Sequence, residues 1–340
     1  MASNRRFFHI AVPIGILAIG LLLVGCYPNN PQSTFDAAGP VAEKQLTLFY
    51  YIFWAMAFVF VVFTAAFLYI ILRFRRRPGH DTIPRQVHGH TPLEIAWTVP
   101  PFLVLAVVAV PAIITLFELD TPPAGALEVN VIGHQWWWEF QYPEQGIVTA
   151  NELHIPVGRP VKFTLTSTDV IHSFWVPKLA GKQDVIPTRE NLMWFQADRP
   201  EEFYGQCTEF CGISHANMRL RVIADPPEAF DQWVKAQQTP PKPAVELAGL
   251  AAEGASLFSS KGCIGCHTVK GVAEFGKVGP ELTHVGSRGI IAAGLLTNTP
   301  ENLKTWLHNP PGVKPGSKMP NLLLTDDEIE KLVAYLQSLR

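Results

Sequence analysis

Three apolar runs mark the first third of this 340-residue chain, and shorter alternating patterns replace them afterwards. The first run covers Phe7 to Gly25. The second is uncharged for 28 residues, Gln45 to Leu72, and the third for 23, Ile95 to Phe117. Each of the last two exceeds the roughly 20 residues that a helix needs to span hydrocarbon. A buried helix of a soluble protein is the alternative, but such helices seldom run so far without a charge. From Leu127 the period changes to two. Leu127–Ile132, Pro160–Thr166 and Arg219–Ile223 alternate apolar and polar residues between Pro and Gly punctuation, which predicts short strands of a β-sandwich or small barrel. Near the C-terminus the period becomes helical again. Thr325 with Glu328 forms a capping-box pattern ahead of Ile329, Leu332, Val333, Leu336 and Leu339 on one face. A second helix is predicted to start at Thr299-Pro300 and to stop at Asn309-Pro310-Pro311.

Charge orients these elements. Arg73, Arg75, Arg76 and Arg77 lie between the second and third runs. The positive-inside rule puts them on the cytoplasmic side, so everything after Glu118 is extracytoplasmic. Arg5 and Arg6 before the first run, and Leu23-Val24-Gly25-Cys26 at its end, resemble an export signal with a lipoprotein cleavage box. That reading makes Cys26 a lipidated first residue; an uncleaved anchor is the alternative. Both topological signals place the cysteine-rich part outside. A formal charge of −2 with 16% charged residues speaks against nucleic acid as a partner. Gln237 to Val245 is Pro-rich and reads as a semi-extended spacer.

The expected organisation is therefore a signal peptide (1–25), an N-terminal extracytoplasmic segment (26–44), a transmembrane helix hairpin (45–117), a β-domain (118–236), a linker (237–245) and a helical domain (246–340). The site is a bacterial cell membrane, crossed more than once.

Two constellations carry chemistry. Cys263-Ile264-Gly265-Cys266-His267 has the spacing that attaches haem through two thioethers and offers an adjacent imidazole to its iron; a short disulfide or half a zinc site is the plainer alternative. Cys207, Glu209, Cys211, His215 and Met218 fall within 12 residues, and His172 lies 35 residues upstream of Cys207. Thiolate, imidazole and thioether donors favour copper. Tetrahedral zinc and a Cys207–Cys211 disulfide remain open on spacing alone.

With the helix pair ahead of it, the pattern Cys-x3-Cys-x3-His-x2-Met resembles subunit II of cytochrome c oxidase. Gly133–Trp138, Asp184–Pro187 and Tyr204–Cys207 match the same family, over roughly residues 45–222. Residues 245–340 resemble class I cytochromes c, with Gly279-Pro280-Glu281-Leu282 between the haem-attachment motif and Met319. The fold implied is a multidomain membrane protein: a two-helix transmembrane hairpin, a cupredoxin-like β-sandwich, then an all-α cytochrome c domain.

The resemblance implies a dinuclear copper centre, CuA, bridged by Cys207 and Cys211. His172, His215, Met218 and the Glu209 carbonyl complete its ligands. It also implies covalent haem c on Cys263 and Cys266 with His267 and Met319 as axial ligands, and a magnesium ion reached through the Glu209 carboxylate at the interface with subunit I. Trp136 matches the position where electrons arrive from cytochrome c, and Glu94 the acid that opens one proton-uptake path. Core packing or a membrane-interface belt is the expectation for Trp137 and Trp138, and His88 and His90 read as ordinary exposed histidines.

The implied function is electron input to a proton-translocating terminal oxidase that reduces oxygen to water, from haem c to CuA to subunit I. Subunit III, the membrane, and an upstream quinol–cytochrome c reductase complex or soluble cytochrome c are the other expected partners. A nitric-oxide reductase fed by a CuA subunit, or a stand-alone membrane-anchored electron carrier or copper-delivery module, are the alternatives. Because a tether raises the local concentration of haem c at its acceptor, no tight docking surface is expected.

Overall fold

The computed structural model describes residues 30–75 and 85–340, with single positions at 17, 20 and 79. Cys26, nearly all of the signal segment, and Arg76 and Arg77 lie outside the described residues.

Helix α1 spans Pro40–Phe74 and α2 spans Thr91–Asp120. Both are long and apolar enough to cross a membrane. Their large side chains, among them Phe60, Phe63, Leu105 and Phe117, are exposed, as suits helices surrounded by lipid rather than protein. Helix α1 begins five residues before the uncharged run does. Pro40 sits in its first turn, and Val41 and Ala42 are buried, so the extra turn docks the helix onto the β-domain. Two polar contacts add to this junction. Lys44 Nζ pairs with Glu118 at 2.7 Å, and Trp194 Nε1 donates to the Leu119 carbonyl at 3.0 Å.

The β-domain is a sandwich of two five-stranded sheets. One is ordered β3 (Ile147–Ala150), β2 (Trp137–Tyr142), β1 (Leu127–His134), β5 (Val161–Ser167), β8 (Asn191–Phe195). The other is ordered β4 (Glu152–Pro156), β10 (Arg219–Asp225), β9 (Glu202–Cys207), β6 (His172–Trp175), β7 (Gln183–Val185). β1 runs parallel to β5, and β4 to β10. Strict alternation of burial along β1 and β5 sends one face of each into a core that contains Trp138, Phe140, Phe163, Phe174 and Phe195. Helix α3 (Pro227–Gln238) follows β10 and covers one end with Phe230.

Beyond the linker come α4 (Leu250–Ser260), α5 (Pro300–His308), α6 (Pro310–Val313) and α7 (Asp326–Ser338). A two-residue ribbon, β11 (Ile290–Ile291) with β12 (Leu296–Thr297), lies between α4 and α5. α4 and α7 pack closely because Gly254 has no side chain: a Cβ there would lie 2.0 Å from the Lys331 carbonyl oxygen. The α7 start has both halves of its capping box, and Thr299 caps α5 by accepting from Asn302 N. The chain does not simply stop at Asn309-Pro310-Pro311 but turns once more as α6.

The helical domain does not hang free on its linker. It sits on the sandwich through buried polar contacts, contrary to the expectation drawn from tethering alone. Glu152 on β4 is buried and accepts the Ile290 N–H at 2.6 Å, and Arg219 N donates to the Ala293 carbonyl at 3.1 Å. A carboxylate loses its hydration when buried, and backbone donors from the other domain replace that water here.

Candidate functional site

The first cluster is built by strand pairing. β6 and β9 pair so that Phe174 lies opposite Cys207, which brings His172 at the start of β6 beside Cys207 at the end of β9. The loop from Thr208 then returns through a short 3-10 turn, His215–Asn217, to Met218 at the mouth of β10. It is closed at its base by Cys207 N donating to the Met218 carbonyl at 2.9 Å.

Six donors converge there. Cys207 Sγ is 3.8 Å from both Cys211 Sγ and His172 Nδ1. Cys211 Sγ lies 3.6 Å from His215 Nδ1 and 4.0 Å from Met218 Sδ, and the Glu209 carbonyl oxygen is 3.3 Å from Cys207 Sγ. At 3.8 Å the two sulfurs are not bonded, so the disulfide alternative is set aside. Six donors are also more than a tetrahedral zinc ion uses, and the set fits two soft metal ions sharing two thiolates.

The electrostatics favour the same occupancy. Cys211 and then His172 ease ionisation of Cys207, whereas the neighbouring Cys207 and then burial push Cys211 well up. Two adjacent thiolates ionise together only with cations between them.

Asp169 orients His172. Its Oδ1 lies 2.9 Å from His172 Nε2, which assigns the proton to that nitrogen and leaves Nδ1 free to bind a metal. Burial acts to raise Asp169, but hydrogen bonds from His172, the Gln135 and Val170 N–H groups and Lys318 outweigh it and hold the carboxyl at about 2. Gly133 on β1 makes room for the ring, since a Cβ there would lie 2.7 Å from His172 Cδ2.

The second cluster surrounds a cavity in the helical domain. Cys263, Cys266, His267 and Met319 line it, with an apolar wall that includes Leu303, Trp306 and Leu332. Cys263 and Cys266 are free thiols. His267 Nδ1 is 2.7 Å from the Pro280 carbonyl, so Nδ1 carries the proton and Nε2 is the free ligand atom. Arg288 lines the same cavity, and its Nε is buried without a partner. A porphyrin fits these residues: two thiols to attach it, an imidazole and a thioether for its iron, and a buried donor for an acidic substituent.

Trp136 stands between the two clusters. It is 8% exposed, its Nε1 donates to the Cys211 carbonyl at 3.0 Å, and its ring lines the cavity. Gln135 Nε2 donates to the same carbonyl at 2.8 Å. The indole lies between two glycines, one from each domain. A Cβ on Gly212 or on Gly316 would each approach it to 3.0 Å, and both have positive φ. Trp138 is fully buried core, as expected. Trp137 is neither core nor interface belt: it stacks on His134 at 4.0 Å and helps line the cavity. Spacing alone gave no sign of Gln135, Asp169, Arg288 or Gly316. Glu94 lies far from both clusters, in the exposed first turn of α2, where its carboxylate accepts the His90 N–H at 3.2 Å.

Family comparisons match all three regions of the chain. Residues 28–114 match the cytochrome c oxidase subunit II transmembrane domain, 145–224 its periplasmic domain, and 251–340 cytochrome c. Cytochrome c oxidase subunit 2 of Alkalihalophilus pseudofirmus is 39% identical over 97% of this chain and 96% of its own length. The chain belongs to the cytochrome c oxidase subunit 2 family. A second member, from Bacillus sp. (strain PS3), is 40% identical over 99% of this chain and 98% of its own. The periplasmic domain of subunit II of a Bradyrhizobium japonicum cytochrome oxidase is 32% identical over 34% of this chain and 96% of its own length, with a TM-score of 0.33.

This subunit 2 is a membrane component of a haem–copper oxidoreductase, with its sandwich outside the cytoplasm and subunit I as its partner. Its two domain families imply copper at the cluster around His172, Cys207 and Cys211, and haem in the helical domain.

Proposed function

We propose that this chain is the electron-input subunit of a proton-translocating terminal oxidase, receiving electrons at haem c and delivering them through CuA to subunit I for reduction of oxygen to water. Bound there, haem c and CuA supply one-electron carriers with little structural change on transfer. Cys207, Cys211, His172, His215, Met218 and the Glu209 carbonyl would hold the coppers. Cys263 and Cys266 would attach the porphyrin and His267 and Met319 would bind its iron, a pair that would leave no open position for substrate. The observation that carries the reading is Trp136, hydrogen-bonded to a copper ligand's carbonyl while its ring walls the haem cavity. In that position the indole is the bridge between domains rather than a port for an outside protein.

Finer assignments belong to the same reading. The Glu209 carboxylate faces a magnesium ion at the subunit I interface, and Glu94 collects protons at the cytoplasmic mouth of a path into subunit I. Cleavage before Cys26 leaves a lipid anchor there. Subunit III completes the complex, and a quinol–cytochrome c reductase complex or soluble cytochrome c supplies electrons. The oxidase names of the full-length relatives favour oxygen over nitric oxide as the acceptor.

Metal and haem analysis of the purified complex, followed by rapid reduction with both centres monitored, tests the assignment. A dinuclear copper and one covalent haem per chain are expected, with His172→Ala and Met218→Leu slowing transfer from haem c to subunit I. Unchanged transfer in both variants overturns the relay order.

A further inference from the structure

Lys314 is a lysine in an unusual place. It is 4% exposed, at the C-terminal end of α6 and five residues before Met319. Its Nζ donates to the Trp136 carbonyl at 2.6 Å and to the Ala292 carbonyl at 3.3 Å. Among the described residues it forms no ion pair, and burial pushes its ammonium down to about 7. Lysine is rarely buried this deeply without a carboxylate, because losing its hydration is costly. Two carbonyls, one from each domain, are what this group has instead.

Its neighbours show what is held. Pro315 accepts a hydrogen bond from Ser214 Oγ, on the copper loop between Cys211 and His215. Gly316 then passes over the Trp136 ring, and Met319 follows at the cavity wall. The short segment 314–316 thus touches the backbone, the ring and the copper loop in three successive residues. Lys318, just beyond, reaches Asp169 at 3.3 Å on the exposed side. Glu152 secures the opposite side of the interface by accepting the Ile290 N–H.

We propose that Lys314 is a positioning residue for electron transfer, pinning the Met319 loop to the Trp136 main chain so that the haem cavity and the copper loop keep one fixed separation across the indole. The proposal rests on the reading that electrons pass from haem c to CuA. It adds that a specific buried amine, and not the tether, sets the geometry of that step. Replacing Lys314 by methionine keeps the length and apolar stem but removes both hydrogen bonds. The domains then dock less often in the transferring arrangement. Only the bond to the Trp136 carbonyl crosses between the domains, and its loss from a buried amine lowers the docking equilibrium at least about tenfold.

The experiment uses the purified, detergent-solubilised oxidase with all its cofactors. Haem c is photoreduced, and its electron is followed into CuA in wild type, Lys314→Met, Lys314→Arg and the exposed control Lys304→Met. Lys314→Met is expected to transfer at least about tenfold more slowly with unaltered haem and copper spectra. Lys314→Arg recovers part of the rate, and Lys304→Met matches wild type. Wild-type transfer in Lys314→Met overturns the proposal while leaving the relay intact. Absence of transfer in the wild type overturns the relay itself.

A second measurement needs no variant. In the intact wild-type complex, acylation by an amine-directed reagent, read by peptide mass spectrometry, should be slow at Lys314 and fast at Lys304 and Lys318. Acylation of Lys314 as fast as Lys304 overturns the pin, whatever the variants do.

Discussion

Gly279 faces the His267 imidazole so closely that one methyl group should disturb it. A Cβ at this position would lie 2.5 Å from His267 Cε1, 2.8 Å from Nδ1 and 3.0 Å from Nε2. Carbon atoms rest at about 3.5–4.0 Å, so in Gly279→Ala the ring must retreat by about 1 Å. Gly279 is absent from the positive-φ residues, so alanine meets no backbone penalty and the contact acts alone. The ring has little room to move, because its Nδ1 is held 2.7 Å from the Pro280 carbonyl.

Overpacking of this kind costs about 1–3 kcal/mol, and loosening the bond to Pro280 about 1 more. The sum, roughly 2–4 kcal/mol, corresponds to about a 30- to 700-fold loss in the population with the imidazole seated for the iron. Thermal unfolding and the iron–histidine stretching mode of the haem-loaded protein should both report it. If Gly279→Ala kept the wild-type melting temperature and iron–histidine mode, the steric reasoning would be refuted.

Three further outcomes follow from the same contacts. Asp169→Ala removes the acceptor that fixes His172, and copper affinity measured by chelator competition should fall about 10- to 100-fold; unchanged affinity would separate Asp169 from the site. Met319→Leu should lower the haem c potential and let carbon monoxide bind, read by redox titration and difference spectra, and a six-coordinate haem that ignores carbon monoxide would assign the ligand elsewhere. Lys178 chiefly, with Arg199, holds the Asp36 carboxyl below its ordinary 3.8; burial opposes the same two partners at Glu201, which still falls below 4.5. Depressed carboxyls stabilise above their ordinary values and stop doing so as pH falls below them. Protease resistance of the segment before α1 should therefore decline as pH falls below about 4.5, with Asp36→Asn weakening it already at pH 7; a flat profile in the wild type would refute this.

Much of the fold was legible because its signals are local. Uncharged runs reveal the two long helices, alternation reveals β1, β5 and β10, and Thr325 with Glu328 marks the start of α7 within four residues. The metal donors were legible for the same reason: five of the six lie in one loop. His172 stood out as a candidate donor upstream, but its closeness to Cys207 depends on the pairing of β6 with β9, which no local pattern records. The supporting groups were hidden by distance along the chain. Lys314 meets Trp136 from 178 residues away, and Arg199 meets Asp36 from 163. No window of sequence contains both partners, and a lone lysine reads as solvated surface. Tethering likewise suggested a loose domain, because the composition of a linker carries no record of Glu152 or Ile290 meeting beyond it.

The burial of Trp136 has a consequence for how the enzyme can be fed. In the proposed relay, the cytochrome c domain seated over the indole wires the two domains in series rather than in parallel. Crowding the outside with rival reductants would then load the first carrier sooner without ever bypassing it.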